Sequence, residues 1–320
     1  MALEPGRRVG PLGIKGVIAL ILLAAVVLAS GCGGAAESDR PLVGVTLLNK
    51  QDVFYQQLEA GMREAAERAD IQLLVQSAEK DLSAQTAQIE NFIVRGVDAI
   101  VACPVDSRGI AQVLHRAAAE GVAIFTADIA ADGIDVVSHV ASDNVQGGRL
   151  AGEYLARRLG EEGGAVAVVD HPEVTSVQDR VAGFLEAVEG NAKLELVARP
   201  SAQGRRDLAL DVATSMLQAH PEIRGIFAIN DETALGIVQG LEALGRKDVV
   251  VVGYDAIPEA RAAILAGSPL EADVVQHPRR MGSRVIETVA EHLAGAPVAP
   301  DQPVAVSIVT RETLESEAAP

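Results

Sequence analysis

Apolar residues fall along this chain in short blocks, separated by longer segments whose apolar residues recur at helical spacing. The clearest block is Val249-Val250-Val251-Val252, which runs out into Gly253-Tyr254-Asp255. Four β-branched residues in a row cannot make an amphipathic surface, so they predict a strand covered on both faces in a parallel sheet. Blocks of the same kind predict strands over 43–48, 71–75, 99–103 and 122–127. The segments between them predict helices over 53–69, 83–95 and 110–119, the first with Leu58, Met62, Ala65 and Ala66 on one face. A strand follows over 136–140, and Asp143 or Asn144 then caps a helix that runs to Leu159. Alternation resumes with strands over 165–169, 194–198, 225–229, 249–252, 271–275 and 304–309. The intervening helices cover 177–188, 206–219, 231–244, 259–266 and 281–293. Such β-α alternation is the mark of parallel sheets with crossover helices, so the class is α/β. The two runs read as two halves of similar architecture. The polar tail from residue 312 onward is expected to be loose.

Three of the strand blocks end in an acid or an amide. Asp128 follows 122–127, Asn230-Asp231 follows 225–229, and Asp255 follows 249–252. In open α/β sheets ligands bind beyond the carboxyl ends of the strands. Several hydrogen-bonding groups aimed into one cleft imply a small polyhydroxylated ligand.

Composition sharpens this picture. A chain of 320 residues is long enough for two ordinary domains. Apolar residues make up 49% and aromatic residues only 2%, with no Trp, so the core must be aliphatic. That scarcity makes the adjacent pair Phe54-Tyr55 informative. A formal net charge of -17 argues against nucleic acid or an anionic membrane as a partner. Arg7, Arg8 and Lys15 precede an unbroken apolar run over 17–28, and Ala29-Ser30-Gly31-Cys32 follows. This is the pattern of a secretory signal, too short for a comfortable membrane span. Its end resembles a bacterial lipobox, which implies lipidation of Cys32 as the mature N-terminus; Ala29 stands where Leu is usual. An ordinary cleaved signal or an uncleaved anchor is the alternative. Cys103 is then the one remaining cysteine, at a strand end where a small buried thiol is the common case. There is no disulfide framework and no zinc spacing, and neither a metal nor a cofactor is expected. His171, His220 and His277 each precede Pro, which reads as turn chemistry.

Three segments in this order resemble one family. They are Val136-Val137-Ser138-His139-Val140-Ala141-Ser142-Asp143-Asn144 with Gly147-Gly148, then Phe227-Ala228-Ile229-Asn230-Asp231-Glu232-Thr233-Ala234-Leu235-Gly236, then Val251-Val252-Gly253-Tyr254-Asp255. The chain resembles the ribose-type sugar-binding proteins, members of the periplasmic binding protein family of ABC importers, from about Leu42 to about Thr310. The resemblance implies a type I fold of two α/β lobes, each a parallel sheet flanked by helices, with three interlobe crossings near Ser142, Gln276 and Ala305. It divides the chain into a signal peptide with lipobox over 1–32, a tether over 33–40, an N-terminal lobe over 41–142 plus 277–305, a C-terminal lobe over 143–276 plus 306–312, and a tail over 313–320. Ligand binds between the lobes, which close on it by a hinge.

The resemblance also implies ligand positions. Phe54 and Tyr55 follow the first strand, where the family places aromatics against a sugar ring. Asp52 falls where the family has an Asn, in a loop one residue longer. Asp128 matches a carboxylate that accepts from sugar hydroxyls, and Arg180 matches an Arg that donates to hydroxyl oxygens. Asn230 and Asp255 match ligands at strand ends, with helix capping as a competing role; Asp231 is the expected cap. Gln276 matches a hinge residue that touches ligand. Two departures separate this chain from the ribose pattern. Ile129 follows Asp128 where an Arg is usual, and no aromatic stands near Gly204. Another pentose, a hexose, a polyol or a furanosyl signal molecule fits as well as ribose.

Other functions fit less well. A transcription regulator of this fold would need a DNA-binding headpiece where this chain has an export signal. An extracellular hydrolase would need a catalytic constellation, and there is no Gly-x-Ser-x-Gly elbow, no His-Glu-x-x-His and no phosphate loop with its Lys. A ligand sensor that signals to a membrane chemoreceptor keeps the same binding site. The sequence therefore implies an exported, lipid-anchored and monomeric sugar-binding component, on the periplasmic or extracellular face, that delivers to an ABC permease and catalyses nothing.

Overall fold

The computed structural model describes Ala2 and residues 40–317. The signal apart from Ala2, with Cys32 and nearly all of the tether, lies outside the described residues, as do residues 318–320. Among the described residues no helix is long and apolar enough to cross a membrane.

Two six-stranded sheets organise residues 41–317. The first contains β1 (Leu42–Leu47), β2 (Gln72–Ser77), β3 (Ala99–Ala102), β4 (Ala123–Ala127), β5 (Ser138–Ser142) and β11 (Asp301–Val304). Its order is β11-β5-β4-β3-β1-β2, with every pair parallel. The second contains β6 (Gly164–Val169), β7 (Leu194–Ala198), β8 (Ile223–Ala228), β9 (Val250–Asp255), β10 (Leu270–Val275) and β12 (Ser307–Thr310). Its order is β12-β10-β9-β8-β6-β7, parallel except for the antiparallel edge strand β12. Apart from the edge strands the orders are equivalent, which is the likeness of halves that the β-α pattern implied. Each sheet therefore has one place where the strand order reverses, between β1 and β3 and between β6 and β8, and ligand crevices form at such places.

Helices cover both faces of each sheet, as the unbroken apolar strands require. Val43, Val45 and Leu47 of β1 are buried in one apolar cluster with Leu58 and Met62 of α1 (Val53–Ala69). The opposite face of the sheet packs on α2 (Leu82–Val94) and α3 (Ala111–Ala119) through Ile89, Phe92, Ile100 and Leu114. Phe92 presses so close to β1 that a Cβ on Gly44 would lie 2.6 Å from its ring. In the second sheet, α4 (Asn144–Leu159) and α5 (Thr175–Glu189) cover one face. The other is covered by α6 (Arg206–Ala219), α7 (Asp231–Leu244) and α8 (Pro258–Ala266). Phe184 of α5 stacks on Phe227 of β8 with centroids 5.0 Å apart, one of few aromatic pairs in an aliphatic core.

After β10 the chain returns to the first sheet. Helix α9 (Pro278–Leu293) packs on α1, β4 and β5 before β11 joins that sheet. The single strand expected over 304–309 is two strands, β11 and β12, in different sheets, because Ala305 and Val306 carry the chain from one sheet to the other. The tail is helical rather than loose over its described residues, which end at Glu317. Residues Arg311–Glu317 form α10, which buries Leu314 in the cluster that holds Ile264 of α8. A polar helix with one buried apolar residue carries too weak a periodic signal to be read from sequence.

Three helix pairs meet backbone to backbone, one of them α6 and α7, where a Cβ on Gly236 would collide with the carbonyl oxygen of Arg206. A Cβ on Gly148 of α4 would collide with the carbonyl oxygen of Arg180, and one on Gly183 of α5 with that of Val145. Gly61 and Gly282 allow the same approach between α1 and α9. We expect Gly148→Ala to destabilise the protein by about 1–3 kcal/mol, the usual cost of overpacking. Urea unfolding measures this, and an unchanged midpoint would mean that α4 and α5 are not packed this tightly.

Candidate functional site

The carboxyl ends of the two sheets enclose a cavity of about 270 Å³. Drug-sized ligands occupy pockets of about 300–1,000 Å³, so this one suits a small molecule. Leu48 and Val105 follow β1 and β3, and His171 and Asn230 follow β6 and β8, so both points of strand reversal open onto it. All eight residues singled out from the sequence line it: Asp52, Phe54, Tyr55, Asp128, Arg180, Asn230, Asp255 and Gln276.

The wall from the first sheet is built around Asp128. Asp52 caps α1, its Oδ1 accepting from the Phe54 amide at 2.9 Å, and this fixes the start of the helix. Phe54 and Tyr55 meet edge to face at 5.1 Å. The Tyr55 hydroxyl donates to Asp128 Oδ2 at 2.5 Å, so Tyr55 serves as a buried partner of the carboxylate as well as an aromatic surface. Asp128 has φ 66, and the Ile129 amide donates back to the Ala127 carbonyl at 2.8 Å. This is a γ-turn of the strained, left-handed kind, a conformation that costs about 1–3 kcal/mol and persists only where the surroundings enforce it. Burial pushes the Asp128 carboxyl up to about 6, with Arg180 and the Tyr55 hydroxyl opposing the rise and Asp52 adding to it. Burial likewise raises the Asp52 carboxyl.

The opposite wall is built around Arg180, which is 5% exposed. Its Nε donates to Asn144 Oδ1 at 2.9 Å and its Nη1 to the Ile229 carbonyl at 2.6 Å. The guanidinium lies 3.9 Å from the centroid of the Tyr254 ring, and the Tyr254 hydroxyl donates to the same Asn144 oxygen at 3.1 Å. No carboxylate among the described residues pairs with it within 4.0 Å. A buried guanidinium with donors to spare is an anchor for oxygen-rich ligands. Asn144 and Tyr254, which hold it, are positioning residues that sequence reasoning did not assign.

Asn230 and Asp255 complete the site. Asn230 Oδ1 accepts from the Thr233 amide at 2.9 Å, so Asn230 is the cap of α7 and Asp231 is not. Asp231 is turned inward instead and is 1% exposed. Asn230 Nδ2 donates to the Gly204 carbonyl at 3.3 Å. Gln276 Nε2 donates to Asp255 Oδ1 at 2.6 Å, while Gln276 Oε1 is buried without a partner. Burial holds the Asp255 carboxyl well above the ordinary range, partly opposed by Arg180.

Lys80, His171, Ser176, Gln203 and Arg205 also line the cavity and were not anticipated. His171 had a signal, since it follows a strand end as Asp128 and Asn230 do, but its Pro neighbour read as turn chemistry. Burial lowers the proton affinity of its ring. Lys80 and Gln203 have φ 63 and 52. Four of the seven non-glycine residues with positive φ among the described residues, Lys80, Asp128, Gln203 and Asp255, therefore line this one cavity. At the rim Thr175 bridges the two halves: its amide donates to Ser107 Oγ at 3.1 Å and its Oγ1 accepts from the Ala130 amide at 3.0 Å.

Residues 43–297 match the family model of the periplasmic binding protein domain. The chain belongs to the periplasmic binding protein family. It is 30% identical over 295 residues to the ribose import binding protein of Escherichia coli (strain K12), covering 92% of this chain and 98% of that one. It is 33% identical over 256 residues to the ribose import binding protein of Bacillus subtilis (strain 168), covering 80% of this chain and 83% of that one. Among solved structures, an ABC transporter solute-binding protein of Bacillus halodurans C-125 with bound myo-inositol aligns with a TM-score of 0.80 at 30% identity, covering 88% of this chain and 98% of that one. The ribose-type resemblance, the α/β fold of two sheets and the reading as a binding protein rather than an enzyme all stand with these relatives. Membership of this family places the chain's work outside the cytoplasm.

The Tyr55 hydroxyl bond stabilises the Asp128 carboxylate. We expect Tyr55→Phe to raise the Asp128 carboxyl above its value of about 6. Carbon-13 NMR titration of the side-chain carboxyl reads the change, and an unmoved or lowered value would count against the bond. Because the folded value lies above the unfolded one of about 3.9, the folded state retains this proton longer. The resulting contribution to stability is full below about pH 4 and is lost as the pH rises to about 6.

Proposed function

We propose that this protein captures a monosaccharide or similar polyol in the cavity and delivers it to an ABC importer. The observation that carries this reading is the arrangement around Arg180. A buried fork of N–H donors faces a cavity that also presents the carboxylates of Asp128 and Asp255, with the Gln276 side chain beside them. Donors and acceptors converging from two walls match the paired hydroxyls of a sugar, each of which both donates and accepts. Phe54 and Tyr55 offer an apolar surface to ring C–H groups, and Val174 and Val177 line the side that lacks an aromatic. Such a surface grips a ring less selectively than two aromatic walls, which favours a compact polyol or a small sugar.

In this reading the two lobes are 41–142 plus 277–305 and 143–276 plus 306–312. They close about the segments where successive strands change sheet. The partner is a membrane permease that receives the closed lobes of a monomer. Cys32 carries lipid and tethers the protein to the outer face of the cell membrane through residues 33–40.

Calorimetric titration of the chain from Ser38 onward with D-ribose, D-allose, xylitol and myo-inositol tests the binding. We expect saturable heat from at least one. Asp128→Ala and Arg180→Ala should each weaken it about 10- to 100-fold, from the loss of about 1.5–3 kcal/mol in a hydrogen bond to a charged group. A folded protein silent towards the whole panel would refute the reading. For the anchor, Cys32→Ala should move the protein from the membrane fraction to the soluble one. Unchanged fractionation would remove the lipid from the account.

A further inference from the structure

Two carboxyl groups lie beneath the Asp255 loop without reaching the cavity wall. Asp231 opens α7 and is 1% exposed; Asp273 sits in β10 and is fully buried. Asp273 Oδ1 accepts from the Ala256 amide at 3.2 Å, and Asp231 Oδ2 accepts from the Ile257 amide at 2.7 Å. Their other oxygens, Asp231 Oδ1 and Asp273 Oδ2, have no donor apart from one another's carboxyl. Both converge over Gly253, where a Cβ would lie 2.9 and 2.7 Å from them. Two carboxyl oxygens that converge in this way, with no other donor in reach, are satisfied only when one of the two groups carries a proton and donates it to the other.

Arg261 of α8 opposes the burial-driven rise of the Asp273 carboxyl only in part. Asp255 from β9 and Asp52 from the cap of α1 add negative charge. Arg261 of α8 is near, but its Nε donates to the Ala256 carbonyl and its Nη1 to Glu317. Glu232, the next residue of α7, is held by Arg206. Two ionised carboxylates at this depth would be unpaired and in contact, an arrangement that burial and repulsion both oppose. The backbone they grip is strained, with Asp255 at φ 115 and Ala256 at φ 53. Such conformations need the surroundings to impose them.

We propose that Asp231 and Asp273 share one proton and act as a positioning pair, clamping the Ala256 and Ile257 amides so that the Asp255 carboxylate is held at the cavity. This rests on the sugar-binding reading of that cavity only for its effect on affinity. Loss of the proton drives the two carboxylates apart, slackens the clamp and displaces Asp255. Asp273→Asn replaces the shared proton with a permanent amide donor to Asp231 and keeps the oxygen that accepts from Ala256. Asp231→Asn does the converse.

The experiment is an NMR pH titration of the ligand-free protein that follows the two aspartate carboxyl carbons and the Ala256 and Ile257 amides. In the native protein the proton should leave the pair as one event well above the ordinary aspartate range of about 3.9, and the two amides should shift at the same midpoint. In Asp273→Asn the amides should show no such midpoint. Should that variant fail to fold, Asp231→Asn supplies the same comparison. Two carboxyls that titrate independently near 4, or amides that ignore the pair's midpoint, would overturn the proposal. With D-ribose as the probe, affinity should weaken about tenfold on the alkaline side of the midpoint in the native protein and stay level in Asp273→Asn, the scale of one lost hydrogen bond. A native protein that showed the amide midpoint yet bound no D-ribose would support the clamp and count against D-ribose as the ligand. Equal alkaline weakening in both proteins would overturn the link from the pair to Asp255.

Discussion

The arrangement of the cavity depends on a buried guanidinium that has no carboxylate partner among the described residues. Arg180 is held by a carbonyl, an amide oxygen and an aromatic face, none of which cancels its charge. These contacts fix its position while leaving its electrostatic demand unmet. The demand reaches across the cavity and restrains the upward shifts of both the Asp128 and Asp255 carboxyls. Holding Arg180 there in turn constrains the scaffold. Gly147 leaves room for the Tyr254 hydroxyl that shares Asn144 with it, and Gly148 and Gly183 let α5, which carries it, press against α4.

Strain and desolvation gather at the same place. The Asp128 turn, the Asp255–Ala256 backbone and the Lys80 and Gln203 loops all sit in a region of φ that such residues avoid. The sheets behind them, buried on both faces, are stiff enough to impose it. A site shaped in advance spends less of its binding energy on ordering itself. The rim bonds of Thr175 with Ser107 and Ala130 act in the same direction, because they join the halves through short, directed contacts.

Most of the fold was legible because a doubly covered parallel sheet leaves a strong trace: unbroken β-branched strands, amphipathic helices and polar residues at strand ends. Helices such as Val53–Ala69, Arg206–Ala219 and Asp231–Leu244 agree with their sequence limits to the residue. Asp128, Asn230 and Asp255 could be found from strand ends alone, whereas Arg180 and Gln276 needed the family resemblance. The failures have physical causes. The segment 304–309 looked like one strand because hydropathy does not register a change of sheet across Ala305 and Val306. Helix α10 escaped because Leu314 is its single buried residue. Asn230 and Asp231 are adjacent and equally fit to cap, and only tertiary packing turns Asp231 inward. Lys80 and Gln203 reach the cavity through backbone conformations that their residue types do not announce.

The double engagement of Asn230 bears on how such a protein diverges. Its amide closes the first turn of α7 and grips the Gly204 loop, so replacing it to suit a new solute would also fray a helix and free a loop. Gln203 bonds through its backbone amide to Ser201 Oγ, and among the described residues its side chain makes no hydrogen bond. A substitution at Gln203 therefore alters the cavity wall without loosening the scaffold, whereas one at Asn230 does both. The residues that line the cavity are unequal in what else they hold up.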